Sequence, residues 1–464
     1  MFLGREREVG LLEKRYEKQE FNFVVMYGRR RVGKTKLLKE FCKNKKSIFF
    51  VAEEYNDKLA LEKFSRVIKQ SLGEEIDKSI FASWTDAFDY IADKATKEKI
   101  VLVLDEFQYL VNSNKSLLSL LQNMIDHKFN EKNIYIVVCS SVISFMEGKV
   151  LSQKSPLFGR KTAEFHVKKL GFYESIKFME NFNNEDKILG YSILGGIPLY
   201  LLQFDDKISI DENIKENFLV EVANLYLEPK NLLKIELRTP AIYNSIVEAI
   251  ALGNTKLNEI STKTGEDKDK VYNYILSLID MHIVEKIHPV NEKESSRKTL
   301  YKLSDNLFKF WYRFIFPNIS AVETGMGEVL YHKKIKPFFS NYVSYVFEDI
   351  CKEYLIRKNM KSELPIFINK VGKWWGTSKV TKQEEEIDVM ALSDDGVIFG
   401  ECKYKNEKTG LQELEKLTEK ANMFKDKNKY YYIFSKSGFK KSLIDYAKEN
   451  SNIYLEDLES IIKG

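Results

Sequence analysis

The sequence predicts an α/β protein of several domains, and three observations carry that reading. Short apolar runs at 23–27, 47–53, 100–104 and 133–139 alternate with stretches of helical spacing, the pattern of a parallel sheet with right-handed crossovers. The first run breaks into a glycine-containing loop that opens a helix. Far downstream, residues 386–392 and 397–404 flank Ser393-Asp394-Asp395-Gly396, a β-hairpin signal separate from the first set. A chain of 464 residues is too long for one core and suggests about two to four domains.

Composition narrows the class. With 44% hydrophobic and 30% charged residues, the chain reads as globular rather than disordered. A net charge of +5 permits a nucleic-acid partner without requiring one. Cys42, Cys139, Cys351 and Cys402 have no paired spacing, which argues against a disulfide framework or a zinc site and fits a reducing cytoplasm. No apolar run reaches membrane-spanning length and the N-terminus does not read as a signal peptide, so a cytoplasmic protein with no membrane partner is expected.

The chemistry begins in the first loop. Gly28-Arg29-Arg30-Arg31-Val32-Gly33-Lys34-Thr35 fits G-x-x-x-x-G-K-[ST], with the apolar run 23–27 before it and a helix opening at Lys36-Leu37-Leu38. Gly28 and Gly33 let the backbone curl so that successive N–H groups face phosphate oxygens, and the helix start adds its positive dipole end. Lys34 would reach the β- and γ-phosphates of ATP, and Thr35 would ligate Mg2+. The run Ile100–Leu104 ends in Asp105-Glu106: Asp105 can hold Mg2+ through water, and Glu106 can polarise an attacking water. The next run ends in Ser140-Ser141, where Ser141 can sense the γ-phosphate. These features delimit a P-loop ATPase core over residues 1–165. Just beyond the last strand, Arg160 can stabilise γ-phosphate charge, in cis or from a neighbouring copy in a homo-oligomer. Residues 166–237 read as a helical lid, broken by Gly195-Gly196-Ile197-Pro198.

Taken in order, GREREVGLLE, GRRRVGKT, VLVLDE, the paired serines, PLFGR and GGIPLYL resemble the archaeal-type ATPase family, a group within the signal-transducing ATPases of the AAA+ type. The resemblance covers about the first half of the chain. It implies that the glycine–proline element links the ATPase to a winged helix and reports nucleotide state, which places Pro198 near the bound nucleotide. It also implies that the Gly4-Arg5-Glu6 segment packs against the adenine.

Residues 238–312 supply the winged helix: Thr239-Pro240 opens a helix to Leu252, Leu257–Gly265 and Asp267–Met281 follow, and two short strands flank the polar tip Asn291–Arg297. The second of those latter helices offers Lys268, Lys270 and Asn273, but also Glu266, Asp267 and Asp269. That balance is poor for phosphate contacts, so a regulatory or protein-binding role competes with DNA binding.

The last segment, 313–464, follows an aromatic run, Phe308–Phe316, that anchors it. A helix near 342–358 carries Glu348. On the hairpin, Glu401 and Lys403 lie two apart and project to one face, with Asp388 on the adjacent strand. Carboxylates from Asp388, Glu401 and Glu348 suit Mg2+ or Mn2+, and Lys403 can orient an attacking water. The helical glutamate and the D-x(12)-E-x-K spacing resemble the PD-(D/E)xK nuclease superfamily and the DUF234 domain found fused to archaeal-type ATPases, although Ile387 stands where the nominal signature has proline. That resemblance implies a restriction-endonuclease-like α/β domain. Gln412, early in the next helix, is expected to point back at the site. The whole reads as an ATP-binding and ATP-hydrolysing protein coupled to a metal-dependent nuclease-like domain. Its partner would be DNA, in mobile-element or defence-related processes. The competing reading is an ATP-driven switch whose last domain binds DNA or protein without cutting.

Overall fold

The apolar runs become β1 (Asn22–Tyr27), β2 (Ser47–Val51), β3 (Ile100–Asp105) and β4 (Ile134–Ser140), and β1, β3 and β4 are buried along their whole length. Burial on both faces is what a parallel sheet covered by helices requires, and it explains why these strands lack polar alternation. This computed structural model describes residues 2–464 apart from 19, 75–79, 238, 297, 379–381 and 426–427, so Arg238 and Arg297, at the expected domain boundary and wing tip, lie outside the described residues. The chain divides into two compact units, Met1–Leu170 with Ile197–Leu199, and Gly171–Gly196 with Tyr200–Gly464.

In the first unit a fifth strand, β5 (Ala163–His166), pairs in parallel with β1, giving the order β2-β3-β4-β1-β5. The sequence does not announce β5. It is a short edge strand bearing Glu164 and His166, and none of its residues is fully buried. Phe64, Trp84, Phe88 and Phe107 from the crossovers pack on Phe23, Leu102, Leu104 and Ile136 of the sheet. Because all five strands run the same way, Tyr27, Asp105 and Ser140 end at one edge, where a parallel α/β sheet takes its ligand.

In the second unit the helices Pro240–Ala251, Leu257–Thr264 and Lys268–Asp280 lead into an antiparallel pair, β6 (Val284–Ile287) and β7 (Leu300–Leu303). The aromatic run then acts as an internal hub. Phe308, Phe310, Trp311 and Tyr312 are fully buried. Trp311 Nε1 donates to the Tyr226 carbonyl at 2.5 Å. From the long helix Phe339–Met360, the Tyr342 hydroxyl donates to the Ser192 carbonyl at 2.7 Å. Buried indole and phenol groups need such partners, and here they fasten the aromatic run to the turn at Tyr226 and the long helix to the helix Asn184–Leu194.

The C-terminal sheet contains β8 (Lys370–Thr377), β9 (Glu384–Leu392), β10 (Val397–Lys403), β11 (Lys429–Ser435) and β12 (Ile453–Asp457), in the order β12-β11-β10-β9-β8. β8, β9 and β10 are antiparallel, whereas β10, β11 and β12 are parallel. β8 is not legible in the sequence because glycines and a lysine interrupt its alternation and a bulge falls between Gly372 and Trp374. Phe399 and Ile433 pack with Leu414 and Leu417 of the helix Leu411–Ala421. Phe434, of opposite parity, meets Tyr354 of the long helix, so helices cover both faces.

A Cβ at Gly28 would stand 2.2 Å from the carbonyl oxygen of Val167, just past β5. Glycine is therefore imposed by a close backbone approach as well as by the loop. Gly28→Ala should destabilise the first unit by about 1–3 kcal/mol, the usual cost of forcing extra volume into a packed site. Denaturant unfolding followed by circular dichroism checks this, and an unchanged midpoint would contradict it.

Candidate functional site

At the carboxyl edge of the first sheet, the helix Lys34–Phe41 begins directly after Gly33, which takes a left-handed φ of 94°, as Arg31 does at 71°. Lys34 is buried, and its Nζ donates to the carbonyls of Gly28 at 2.7 Å and Arg29 at 3.1 Å. Burial pulls its pKa below the ordinary lysine value, against the opposing charge of Glu106 and Asp105. A desolvated ammonium whose hydrogen bonds among the described residues go to backbone carbonyls gains from an incoming phosphate. Arg29 is buried, Arg30 and Arg31 are half-buried, and Lys36 is exposed on the first helical turn. Val32 is buried, and its carbonyl accepts from Arg5 Nη2 at 3.1 Å; the same nitrogen also donates to the Lys168 carbonyl. Arg5 thus braces the loop from behind. Pro198 stands beside the loop: a Cβ on Gly33 would lie 3.8 Å from its Cγ.

The Thr35 hydroxyl donates to Asp105 Oδ2 at 2.6 Å, joining the start of the helix to the end of β3 across the tip of β4. Asp105 is fully buried and also accepts the Glu106 N–H at 3.0 Å. Glu106 sits in the left-handed region at φ 53°. Its Oε2 accepts from Gln108 Nε2 at 2.6 Å and from the Ser141 hydroxyl at 2.8 Å, while the Ser140 hydroxyl donates to Gln108 Oε1 at 2.6 Å. A hydroxyl and a carboxylate already sharing one proton form an oxygen donor pair that fits Mg2+.

In the second unit, the β9–β10 register pairs Val389 with Gly400, so Asp388 and Glu401 come next, opposite each other on one face. Asp388 Oδ2 accepts the Cys402 N–H at 2.9 Å. Burial, then the charges of Glu401 and Glu348, push its pKa up to about 7. Glu401 is 7% exposed; its Oε1 pairs with Lys403, but its buried Oε2 accepts no hydrogen bond and has Lys420 Nζ at 3.7 Å. Lys403 also reaches Glu413 at 3.3 Å. Burial would lower its pKa, yet Glu401 and Glu413 hold it above the ordinary value. Glu348, from the long helix, is raised by burial and is paired with Lys373 at 3.2 Å; Lys373 also meets Glu386 at 3.1 Å.

Residues 2–204 match a family of ATPase domains found predominantly in Archaea, and residues 311–417 match archaeal and bacterial proteins of unknown function, DUF234. An uncharacterized protein of Methanocaldococcus jannaschii is 33% identical over 99% of both chains. The chain belongs to the archaeal-type ATPase family with a C-terminal DUF234 domain. An uncharacterized ATP-binding protein of the same organism is 48% identical over 46 residues, covering 10% of this chain and 78% of its own. The Walker-type ATPase of Pyrococcus abyssi shares the fold: its structure superposes with a TM-score of 0.53 at 22% identity, covering 67% of this chain and 96% of that one. The family's ATPase domain is thus the first unit's parallel sheet with its P-loop.

Not every expected residue joins these clusters. Arg160 precedes β5, whose Ala163 pairs with Val24 near the start of β1, so it lies at the sheet edge opposite the phosphate loop. A strand rises about 3.3 Å per residue, which separates the two edges by roughly 13 Å. Arg160 is instead doubly bonded to Asp126, at 2.7 Å through both Nε and Nη2, and caps the Pro156 carbonyl. The cis role on the γ-phosphate is therefore corrected. Glu348, Asp388 and Glu401 do not form a ready metal cage: among the described residues no three His, Cys, Asp or Glu side chains stand together as one. Buried carboxylates take the nearest lysine or N–H as counter-charge, and these three have done so. Gln412 is exposed, whereas Glu413 touches Lys403. Lys268 and Asn273 are exposed, but Lys270 is paired with Glu266 at 2.7 Å, and Asp267 caps its own helix by accepting the Asp269 N–H. Sequence reasoning missed Gln108, Lys373 and Lys420, and of the serine pair it gave the sensing role to Ser141 alone, although Ser140 holds Gln108. Lys373 sits on the unpredicted β8. No helix among the described residues is long and apolar enough to cross a membrane.

Asp388 gives a pH test. Its folded pKa lies above the ordinary carboxyl value of 3.8, so the stability it contributes is full below that value and is lost as pH rises through about 7. Asp388→Asn keeps the neutral form throughout, so in metal-free buffer its stability relative to wild type should rise across that window. Urea midpoints at several pH values measure the difference, and a flat difference would contradict the buried cluster.

Proposed function

We propose that this protein hydrolyses ATP in its first unit and couples that cycle to metal-dependent cutting of DNA phosphodiester bonds by its C-terminal domain. The observation that carries the second half is the Glu401 carboxylate, buried beside Asp388 with one oxygen lacking a hydrogen bond. A carboxylate oxygen without a hydrogen bond, near a second carboxylate, fits a divalent cation, Mg2+ or Mn2+, because either ion would coordinate the oxygen that the lysines leave unbonded. Asp388 and Glu401 would hold it, with Glu348 from the long helix. Bound there, such an ion supplies charge stabilisation to a phosphodiester. Lys403, held by Glu401 and Glu413, orients the attacking water and offsets charge on the phosphate.

In the ATPase half, Lys34 gives up its loop carbonyls for phosphate oxygens. Glu106, fixed by Gln108 and Ser141, polarises the attacking water. Thr35 and Asp105 would hold Mg2+, which when bound screens the phosphates. Pro198, beside Gly33, reports the loop's state to the chain on either side. Arg160 enters this reading only from a neighbouring copy of the chain. We assign residues 1–165 to the core, 166–237 to the lid, 238–312 to a winged helix with a regulatory role, and 313–464 to the nuclease-like domain. The alternative is an ATP-driven switch that binds DNA or protein without cutting. The pairs Lys403–Glu401 and Lys373–Glu348 favour it, since tethered lysines already neutralise two of the three acids.

Two experiments separate these. Lys34→Ala should weaken ATP binding at least tenfold in calorimetry, with Glu106→Gln binding ATP but turning it over at least about a hundredfold more slowly; wild-type affinity in Lys34→Ala would refute the phosphate cradle. Plasmid incubated with Mn2+ or Mg2+, with and without ATP, should be cut by wild type and left intact by Glu401→Ala. No cutting by wild type under any of these conditions would leave the switch.

A further inference from the structure

Two loops leave the carboxyl ends of the parallel strands β10 and β11, directly beyond Glu401 and Lys403. They are residues 405–410 and 436–442, and between them they carry Lys405, Lys408, Lys436, Lys440 and Lys441 against a single acid, Glu407. They are laced into one surface. The Lys436 N–H donates to the Lys403 carbonyl at 2.9 Å, the Thr409 N–H to the Gly438 carbonyl at 2.9 Å, and the Lys440 N–H to the Thr409 carbonyl at 2.8 Å. The Ser437 hydroxyl donates to the Lys405 carbonyl at 2.7 Å, and the buried hydroxyls of Thr409 and Ser435 lie 2.8 Å apart. Loops so tied hold the backbone at fixed spacing, so that the exposed lysines are all presented from one rim.

The charges on this surface are largely uncommitted. Lys405 is exposed and only loosely paired with Glu413 at 3.4 Å, and Lys436 pairs with Glu185 at 2.7 Å. Lys408, Lys440 and Lys441 are exposed and make no ion pair among the described residues. Like charges on one rim repel one another, and a polyanion laid across them relieves that repulsion while releasing its own counterions. The rim borders the Glu401–Lys403 cluster, so a phosphate chain crossing it passes the carboxylates.

The kind of polyanion follows from what the loops lack. Their one aromatic residue, Phe439, packs on the core of the C-terminal sheet rather than standing free. Single strands are gripped by aromatic platforms that stack bases, whereas lysines alone grip a regular, doubly charged backbone. The Lys268–Asp280 helix is a weaker candidate, since its basic residues are interleaved with Asp267, Asp269 and Glu266.

We propose that the rim formed by Lys405, Lys408, Lys440 and Lys441 is the surface on which duplex DNA is held through its phosphates, without sequence preference, an inference that rests on reading the adjacent cluster as a phosphodiester-cutting site. Contact is made by ammonium groups to backbone oxygens. Base edges play no part, so affinity depends on salt and not on sequence.

The test uses the full chain and a fluorescein-labelled duplex of mixed sequence, titrated in EDTA at several salt concentrations so that binding is read without cutting. Lys408→Gln/Lys440→Gln/Lys441→Gln should bind at least tenfold more weakly at low salt. The slope of log affinity against log salt should fall by about 2–3, since each lost phosphate contact removes about 0.9. Its melting temperature and ATP turnover should match wild type, which separates lost contact from lost folding. Lys268→Glu/Lys270→Glu should leave the slope unchanged. An unaltered affinity and slope in the triple variant would overturn the proposal, as would a matching single strand or RNA bound more tightly than the duplex through the same lysines. Glu401→Ala, assayed alongside, should bind the duplex like wild type. Failure of the wild type to cut with Mg2+ or Mn2+ while its duplex binding is intact would count against the nuclease reading alone, while wild-type cutting with binding indifferent to the lysines would count against the rim alone.

Discussion

The hydrogen bond between Thr35 and Asp105 is the contact on which the first unit's architecture converges. It requires the loop after β1 and the end of β3 to meet although β4 lies between the two strands, and the parallel run of all three brings them to the same edge. The same edge gathers Glu106 with its Gln108 and Ser141 partners. Each of these groups is buried or half-buried, and each has a partner that fixes its direction before any ligand arrives. Preorganisation of this kind is where an ATPase site gains most, since nothing must be reoriented during the reaction.

The C-terminal domain is governed by the complementary constraint, the cost of placing several carboxylates in a dry place. The hairpin register sets Asp388 opposite Glu401 while Glu348 is carried by the long helix, and the structure answers with Lys373, Lys403, Lys420 and one backbone N–H. The compensation is incomplete, as the raised Asp388 and the unbonded Glu401 oxygen record. That incompleteness is the ground on which the proposed cation site rests, since buried ion pairs can be replaced by apolar residues at little loss of stability.

Much of this was legible in the sequence, and the misses have physical causes. The three buried strands β1, β3 and β4 and the P-loop were plain because doubly covered strands are continuous apolar runs and the loop's chemistry needs fixed residue types, and the edge strand β2 was legible because its Ile48-Phe49-Phe50-Val51 is apolar throughout. The edge strands β5 and β8 were not, because an edge strand satisfies only one neighbour and tolerates Glu164, His166, Gly372 and Lys373. Asp388, Glu401 and Lys403 followed from alternation along two strands. Their lysine partners did not, since Lys373 and Lys420 reach the cluster from elements whose orientation no local pattern specifies. Arg160 was misread for a topological reason: position after the last predicted strand says nothing about which edge of the sheet a residue occupies when a further strand follows.

The measurement that bears most directly on this account is a double-mutant cycle on Mg2+-dependent ATP affinity, with Thr35→Ala, Asp105→Ala and the pair. If the two residues form one cation-holding unit, each single change should remove most of the Mg2+ dependence and the double change should add little, leaving a coupling energy of about 0.5–3 kcal/mol, the range found for residues in direct contact. Strictly additive losses, with Mg2+ dependence surviving in either single variant, would contradict it.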